Sequence, residues 1–311
     1  MTDPVTDRDV IATLAQDLLV ERRRARRWGI FFKLVFAGVA LLIVASGLAA
    51  IGARERICLD KCTALVEVRG EMDPTSRASA ERVIAGLQAA FKNSGTKGVL
   101  LRINSPGGSP VQAGQIYDEV RRLRAKYPDI PLHAVVEDIA ASGGYYVAAA
   151  ADRIYVDRAS VVGSIGVIYR GFGVVAALDK VGVESRTVTA GTNKAFMDPF
   201  SPVDPEQKAY LQAMLDEVHL QFIGAVRDGR GKRLKETPDM FSGLVWHGSK
   251  AIELGLADAL GNVDGVARDV FGAEEIVDFT PQEALSERFA RKLGAVLAGE
   301  VAAGLRTPGL R

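Results

Sequence analysis

Cysteine and histidine are scarce in this 311-residue chain, which contains two cysteines and three histidines. The cysteines, Cys58 and Cys62, have no histidine near them in the sequence, and two ligands alone make a poor zinc site. The cysteines therefore predict no zinc site, and the serine chemistry argued below needs no metal, nucleotide or other cofactor. In an oxidising compartment the two thiols can form a disulfide across a very small loop; two unpaired thiols are an equal alternative.

A surplus of either charge is also missing, because 39 lysines and arginines face 38 aspartates and glutamates. A strongly basic balance is what favours association with nucleic acids. The composition thus gives no general argument for nucleic-acid binding, and no nucleic-acid partner is predicted.

Charge is absent altogether from one long segment, Leu34–Gly52. At about 1.5 Å per residue, a helix of that length crosses a hydrocarbon core of about 30 Å. The positive-inside rule places the N-terminus in the cytoplasm and the bulk of the chain outside, because basic residues crowd the N-terminal side of the segment. A cleaved signal peptide and a buried core helix are the alternatives. The basic residues are Arg22, Arg23, Arg24, Arg26, Arg27 and Lys33.

Patterning divides the chain into five parts. In order, they are a basic, amphipathic cytoplasmic segment (1–30), a transmembrane helix that anchors the chain in the membrane (31–52), a neck (53–62), a globular domain (63–280) and a C-terminal helix or tail (281–311). The tail has apolar residues at helical spacing, including Leu285, Phe289 and Leu293. This stripe is typical of a packing face or of a contact between subunits.

Strands alternate with helices in the predicted globular domain. Alternation of this kind is typical of an α/β domain with right-handed crossovers. The predicted strands are Thr63–Val68, Gly98–Ile103, Leu132–Val136, Arg153–Val156 and Gly166–Tyr169. The predicted helices span residues 76–92, 110–126, 143–151, 205–227 and 249–255.

A serine stands at one of the predicted strand-to-helix junctions. In the segment Ile139–Val147, Ser142 is followed by two glycines and a run of small residues. A hydroxyl there lies among the free backbone N–H groups of a helix N-terminus, where a nucleophile and an oxyanion hole can be built together. The spacing of Ala140, Ser142 and Gly144 resembles the G-x-S-x-G nucleophile elbow, with alanine in place of the first glycine.

A nucleophilic serine needs a base, and two residue types are candidates. His133 and His219 lie inside predicted elements and are taken as structural, which leaves His247 as the only histidine for a Ser-His-Asp triad. Lys194 is the better candidate, because Ala195, Phe196 and Met197 are apolar neighbours. Lysines act as bases only where burial lowers their pKa from about 10.4.

Glycines after another buried strand provide oxyanion donors. Gly107 and Gly108 follow strand 98–103 in the segment Asn104–Ser109, and a backbone N–H of this pair is expected opposite Ser142 together with that of Gly143. A simple turn or a phosphate-binding loop is the alternative, although the Gly-Lys-Ser/Thr of a P-loop is absent. In the small-residue segment Val161–Val167, Ser164 is expected to orient the lysine amine, or else to cap a tight turn.

Five segments together resemble the signal peptide peptidase A family, the membrane-anchored Ser/Lys proteases of the S49 group. They occur in the family's order, and the N-terminal anchor also fits. The chain is similar to the short form, which has one catalytic domain. The matching segments are Asn104–Gly108, Ala140–Tyr145, Val162–Gly166, Gly191–Lys194 and Gly255–Asp258.

The resemblance implies a ClpP/crotonase-like fold built from repeated β-β-α units. It assigns Ser142 as the nucleophile, Lys194 as the general base and Ser164 as the residue that assists the lysine, with Gly143 and the glycine pair at the oxyanion. It further implies peptide substrates, above all remnant signal peptides. It also implies a homo-oligomer in which a lysine from the neighbouring subunit completes each site.

The location implied is the bacterial inner membrane, crossed once, with the protease domain on the periplasmic or extracytoplasmic side. Three other functions remain as alternatives. They are a Ser142/His247 hydrolase, a crotonase-type enzyme acting on acyl-CoA, and a membrane scaffold without proteolytic activity.

Overall fold

The computed structural model describes residues 7–52, 58 and 60–281. The chain divides into two compact units, one made of residues 1–55 and 282–311 and the other of residues 56–281. Except for Pro281, the predicted C-terminal helix or tail lies outside the described residues.

The described part of the first unit is one continuous helix, α1 (Asp7–Gly52), of 46 residues. No proline occurs in this stretch, so nothing in the sequence forces a break between its basic and apolar parts. Within it, Arg22–Ala45 is long and apolar enough, by length and composition, to cross a membrane, and its most apolar 18-residue window has a mean hydropathy of 2.3. Residues 7–30 of the predicted amphipathic segment and the predicted span, residues 31–52, belong to this one helix. Residues 1–6 of that segment and residues 53–57 and 59 of the predicted neck lie outside the described residues.

The second unit is an α/β domain. Its strands are β1 (Cys62–Arg69), β2 (Thr96–Ser105), β3 (Leu132–Ala141), β4 (Arg153–Val156), β5 (Val161–Gly163), β6 (Val245–His247), β7 (Ala259–Leu260) and β8 (Ile276–Asp278). Its helices are α2 (Ala80–Lys92), α3 (Pro110–Lys126), α4 (Gly143–Ala149), α5 (Val175–Lys180), α6 (Pro205–Arg230), α7 (Gly248–Glu253) and α8 (Val263–Gly265). A 3₁₀ turn (Gly231–Arg233) follows α6, and a π-helical turn (Val266–Val270) follows α8.

These strands form one sheet in the order β6-β5-β3-β2-β1-β8, with β4 paired to β3 and β7 paired to β4. All the pairs are parallel except β5–β6. Strand β3 changes partner along its length. Residues 133–135 pair with β4, whereas residues 139–141 pair with β5. The end of β3 is therefore flanked by the ends of β2 and β5, and all three run in the same direction.

The two faces of the sheet are covered differently. Alternate residues of β1, such as Ala64, Val66 and Val68, belong to the main core together with buried residues of α2, α3, α4 and α6. On the opposite face, Leu65 and its neighbours on β2–β4 form a smaller cluster with Val266 and Ala267. This alternation is the period of two that a strand buried on both faces shows.

Most predicted elements are present, and three of the differences concern elements near the site. Helix α2 begins at Ala80 rather than at residue 76, because Asp73 and Ser76 make a side-chain-capped turn in which Asp73 accepts the Thr75 N–H at 2.7 Å. Strand β3 runs on to Ala141. The predicted strand 166–169 is wrong: the strand is Val161–Gly163, and pairing ends where β3 itself turns into α4.

Cys58 and Cys62 form a disulfide, and both are buried. They pack with Val277 of β8, and the Cys62 N–H donates to the Gly95 carbonyl at 3.1 Å. The disulfide thus joins the start of the domain to the sheet at β1.

Candidate active site

Ser142 lies between β3 and α4 in a strained conformation, with φ 50° and ψ −124°. Its N–H donates to the Gly163 carbonyl at 2.9 Å, and its own carbonyl accepts from the N–H groups of Tyr145 and Tyr146, each at 2.9 Å. Positive φ is uncommon outside glycine and, where the surroundings enforce it, often marks a functional position. Backbone bonds on both sides therefore hold this serine in the sharp turn that the sequence predicts.

The glycine pair lies directly against this turn. A Cβ on Gly107 would come within 2.6 Å of the Gly143 nitrogen and 2.7 Å of the Ser142 Cβ. A Cβ on Gly108 would lie 2.3 Å from the Met72 carbonyl oxygen. Both residues also have positive φ, of 100° and 144°. Only glycine fits at either position, because larger residues would clash with backbone atoms.

The two glycines differ in how their N–H groups are used. The Gly107 N–H donates to the Ser105 hydroxyl at 3.1 Å. The N–H groups of Gly108 and Gly143 have no acceptor among the residues that the structure describes. Two unpaired backbone donors beside a serine are what an oxyanion hole requires, and Gly108 is the member of the pair that can contribute.

Ser164 occupies the corresponding position at the end of the neighbouring strand. Gly163 pairs with Ala141, so Ser164 and Ser142 are the next residues of two parallel strands, which lie about 4.8 Å apart. Ser164 also has positive φ, of 52°, and its N–H donates to the Leu244 carbonyl at 2.7 Å. The structure therefore brings Ser142, Ser164, Gly108 and Gly143 together.

An apolar cavity of about 110 Å³ opens beside Ser142. Its walls come from α3, α4, α6 and the segment after β5, and include Tyr146, Ile168, Val218 and Phe222. The Tyr146 and Phe222 rings lie 4.8 Å apart. A cavity of this size and lining accepts one aliphatic side chain rather than a charged group.

A larger cavity of about 1180 Å³ lies on the other face of the sheet, away from Ser142. Among its lining residues, Arg102 and Glu137 form an ion pair at 3.7 Å. Arg102 forms an ion pair with Glu67, and Asn104 donates to Asp138 at 2.8 Å. This cavity contains none of the predicted catalytic residues.

Lys194 makes no described contact with Ser142 within one chain. It is exposed, it ends a turn in which its N–H donates to the Gly191 carbonyl at 3.1 Å, and it does not line the cavity at Ser142. No residue from Gly166 to Gln221 is buried. The packed apolar setting expected from Ala195, Phe196 and Met197 is therefore absent from the single chain, because this stretch has no core of its own.

None of the three histidines faces Ser142. His247 is exposed, its Nδ1 accepts the Lys250 N–H at 3.4 Å, and it is in register with Val161. It therefore lies roughly 10 Å along the strands and about 10 Å across them from the Ser142 position. His133 packs against the Phe271 ring at 5.0 Å, and burial lowers its pKa. The geometry gives no support to a Ser142/His247 pair.

His219 has a structural contact that sequence reasoning did not specify. Its Nε2 lies 3.1 Å from the Ile165 carbonyl oxygen, so α6 is bonded to the residue after Ser164. No sequence signal pointed to this bond, because a lone histidine in a helix has no characteristic pattern. Among the described residues, no group of three or more His, Cys, Asp or Glu side chains is placed to hold a metal ion.

Comparison with known proteins gives matches to two families. Peptidase family S49 matches residues 124–275, which include Ser142, Ser164 and Lys194. The Clp protease family matches residues 41–180, which include the glycine pair. The second match agrees with the mixed α/β sheet described above, and the domain has a Clp protease-like fold.

Individual relatives match only part of their own length. The chain is 45% identical over 186 residues to the Na(+)/H(+) antiporter NhaA of Brucella melitensis biotype 1, covering 60% of this chain and 25% of that protein. It is 30% identical over 200 residues to a putative signal peptide peptidase SppA of Enterococcus faecium, covering 64% of this chain and 58% of that protein. A solved structure, a mutant of the 1510-N membrane-bound stomatin-specific protease, superposes with a TM-score of 0.41 and 12% identity, covering 72% of this chain and 99% of that one. The chain thus spans less than two thirds of either curated relative.

Proposed function

Because the chain is an SppA-like member of peptidase family S49, we propose that it is a membrane-anchored serine endopeptidase with Ser142 as nucleophile and Lys194 as general base. The observation that carries this proposal is the arrangement at Ser142. A strained serine lies at a strand-to-helix turn, and the unpaired N–H groups of Gly108 and Gly143 are on the same side as an apolar cavity.

The reaction follows from these groups. A neutral Lys194 amine takes the proton from the Ser142 hydroxyl, and the Ser142 oxygen attacks the peptide carbonyl carbon. The N–H groups of Gly108 and Gly143 donate to the oxyanion of the tetrahedral intermediate. The lysine then gives its proton to the leaving amine. A water molecule, deprotonated by the same lysine, releases the acyl group and restores the serine.

The lysine is proposed to come from a neighbouring subunit. Residues 166–204, called the arm below, carry Lys194 and have no buried residue. The arm also exposes large apolar side chains, including Phe172 at 87% and Val188 at 95%. Exposed apolar surface of this kind is typical of a protein contact. A homo-oligomer in which the arm lies against the next subunit would bury Lys194 near Ser142, with Ser164 as the group that orients its amine.

The substrates proposed are signal-peptide remnants and other membrane-associated peptides. The apolar cavity beside Ser142 accepts an aliphatic side chain of the residue that precedes the scissile bond. The proposed location is the inner membrane of a bacterium, with the domain on the extracytoplasmic side. The Cys58–Cys62 disulfide supports that side, because disulfides persist in oxidising compartments.

The central test is covalent labelling of the full-length protein in detergent micelles or membranes. A fluorophosphonate probe should label the unmodified chain at Ser142, and Ser142→Ala should abolish both labelling and hydrolysis of a peptide with leucine before the scissile bond. Lys194→Ala should abolish them as well, because an unassisted serine is a weak nucleophile near pH 7. Lys180→Ala, which removes another exposed lysine of the arm, is the matched control. Undiminished turnover in Ser142→Ala would refute the proposal.

The topology has its own test. Alkaline phosphatase fused after Gly52 should be active, since it folds only outside the cytoplasm, and a fluorescent protein that requires the cytoplasm should be inactive at the same site. The expectation follows from the arginines on the N-terminal side of the apolar segment. The reverse pair of results would place the domain in the cytoplasm.

A further inference from the structure

The turn that carries Gly108 is fixed by three hydrogen bonds. The Gly107 N–H donates to the Ser105 hydroxyl at 3.1 Å. The Met72 N–H donates to the Gly107 carbonyl at 2.8 Å, and the Ser109 N–H donates to the Met72 carbonyl at 2.8 Å. The backbone bonds tie both sides of Gly108 to Met72, and the single side-chain bond comes from Ser105.

Ser105 is the last residue of β2 and is fully buried. Its hydroxyl does not line the cavity at Ser142, so it has no route to a substrate. Its backbone lies behind α4, since a Cβ on Gly144 would come within 2.7 Å of the Ser105 carbonyl oxygen. Ser105 therefore touches both halves of the oxyanion hole from behind, the glycine turn through its hydroxyl and α4 through its backbone.

We propose that Ser105 is a positioning residue for the oxyanion hole, which holds the Gly107 N–H on its hydroxyl so that the Gly108 N–H alone is presented beside Ser142. This inference rests on the proposed function. Both glycines have positive φ, and glycine lacks the Cβ that would otherwise restrict rotation of the peptide between Pro106 and Gly107. Without an acceptor, the buried Gly107 N–H would be unsatisfied, and the turn would rearrange to find a partner.

The chemistry determines which kinetic constant should change. An oxyanion donor makes its strong contact only in the transition state, so its displacement lowers kcat and leaves KM almost unchanged. Complete loss of one such donor lowers kcat by about 10²- to 10³-fold. A donor that is displaced rather than removed should cost less, and we expect about a 10- to 100-fold fall in kcat for Ser105→Ala.

The experiment compares Ser105→Ala with Thr63→Val in the full-length protein. Thr63 is an equally buried hydroxyl that donates to the Ala273 carbonyl at 2.7 Å, and it lies at the start of β1, the opposite end of the sheet from the site. Two probes are used, a fluorogenic peptide with leucine before the scissile bond and a peptide aldehyde of the same sequence, which forms a tetrahedral adduct on the serine. Hydrogen exchange at the Gly107 amide reports on the turn independently of activity.

The expected result for Ser105→Ala is a lower kcat, a KM within twofold, aldehyde binding weakened by the same factor as kcat, and faster exchange at Gly107. Thr63→Val should lose thermal stability but keep kcat and aldehyde affinity. If Ser105→Ala matches Thr63→Val in kcat, or raises KM alone, the inference is wrong while the proposed function stands. If the unmodified chain shows no Ser142-dependent turnover, the proposed function itself is overturned.

Discussion

Ser142 and Ser164 are held at φ values of 50° and 52°, which residues with a Cβ rarely adopt. They are the next residues after a paired position on β3 and β5, so the strain is concentrated at one point of the sheet. A conformation of this kind costs about 1–3 kcal/mol and persists only where surrounding bonds enforce it. The Ser142 N–H donates to the Gly163 carbonyl and the Ser164 N–H to the Leu244 carbonyl, and these bonds provide that constraint.

At Gly108, replacement by alanine should abolish activity. The added Cβ would lie 2.3 Å from the Met72 carbonyl oxygen, so the turn must move and displace the N–H group that is proposed as an oxyanion donor. We expect kcat to fall by at least about 100-fold, measured with the fluorogenic peptide in the full-length protein. Gly114→Ala is the matched control, because Gly114 lies in α3 with no atom within 4 Å of an added Cβ. It should retain activity and gain up to about 1 kcal/mol of stability. A kcat in Gly108→Ala equal to that of Gly114→Ala would contradict the assignment.

Sequence reasoning reached Ser142, Ser164 and the three glycines, because each belongs to a short motif at the end of a predicted element. It did not separate Gly107 from Gly108, since that distinction depends on the Ser105 hydroxyl and on the Met72 backbone in a different loop. The roles of Ser142, Lys194 and Ser164 stay predictions until the variants are measured.

At the scale of elements, a buried ion pair connects α6 to the segment before β7. Arg230 is fully buried at the C-terminal end of α6 and forms an ion pair with Asp258 at 2.9 Å. Asp258 also accepts the Ile154 N–H of β4 at 2.7 Å. The Tyr145 hydroxyl of α4 donates to the Leu256 carbonyl at 2.8 Å. The Gly255–Asp258 motif therefore supports the helix that carries Gly143.

Asp258→Ala should destabilise the domain strongly, because it leaves the Arg230 charge buried without a partner. Removal of one member of a buried pair costs about 3–5 kcal/mol, measurable by chemical unfolding of the full-length protein in detergent. Glu236→Ala is the control, since Glu236 forms a surface ion pair with Arg227 of α6. Loss of that exposed pair should cost no more than about 1 kcal/mol. Equal costs for the two variants would contradict the importance of the buried pair.

The same pair predicts a pH dependence. Burial acts to raise the pKa of Asp258, but the hydrogen bond and charge of Arg230, together with the Ile154 N–H and Arg233, outweigh it and hold that pKa below its ordinary value. A carboxylate with a lowered pKa in the folded state adds stability above its unfolded pKa of about 3.9, and this stability is lost as the pH falls through the folded value. The stability difference between the unmodified chain and Asp258→Asn should be constant from about pH 6 to 8 and should shrink below about pH 4. A difference that does not change with pH would contradict this linkage.

Most elements could be predicted because their apolar residues repeat with a helix or strand period, as in α3, which spans Pro110–Lys126 as expected. The strand predicted at 166–169 is absent, because Val167, Ile168 and Tyr169 have the composition of a strand but no neighbouring strand pairs with them. Sequence reasoning did not predict the short strand β6 or the short helix α5, although the structure contains both. They are too brief to show a period, and β6 depends on its pairing with β5.

At the scale of the whole molecule, no described contact joins the proposed nucleophile, Ser142, to the proposed base, Lys194, within one chain. The arm has no buried residue, and Lys194 is exposed on it. No pattern in a single sequence encodes a contact with a second copy. The predicted burial of Lys194 could therefore be judged only from the structure, in which no residue of the arm is buried.

Mixing two inactive variants tests completion of the site by a neighbour. Ser142→Ala and Lys194→Ala, co-assembled in equal amounts, should recover activity, because a subunit with an intact serine can take its lysine from the other variant. For head-to-tail contacts and random assembly, about a quarter of the sites receive both residues. Each variant alone provides the baseline, and co-purification through two different tags verifies assembly. Verified mixed oligomers without recovered peptide hydrolysis would place both residues of a working site in one chain.

The exposed arm has a consequence for when such an enzyme works. Under the proposed shared site, a newly made subunit is inactive until it meets another, so hydrolysis at low abundance would rise with the square of the number of subunits per unit area of membrane. Proteolysis would then be governed by expression level and lateral diffusion, and solitary chains inserted beside the secretion machinery could not cleave precursors still in transit.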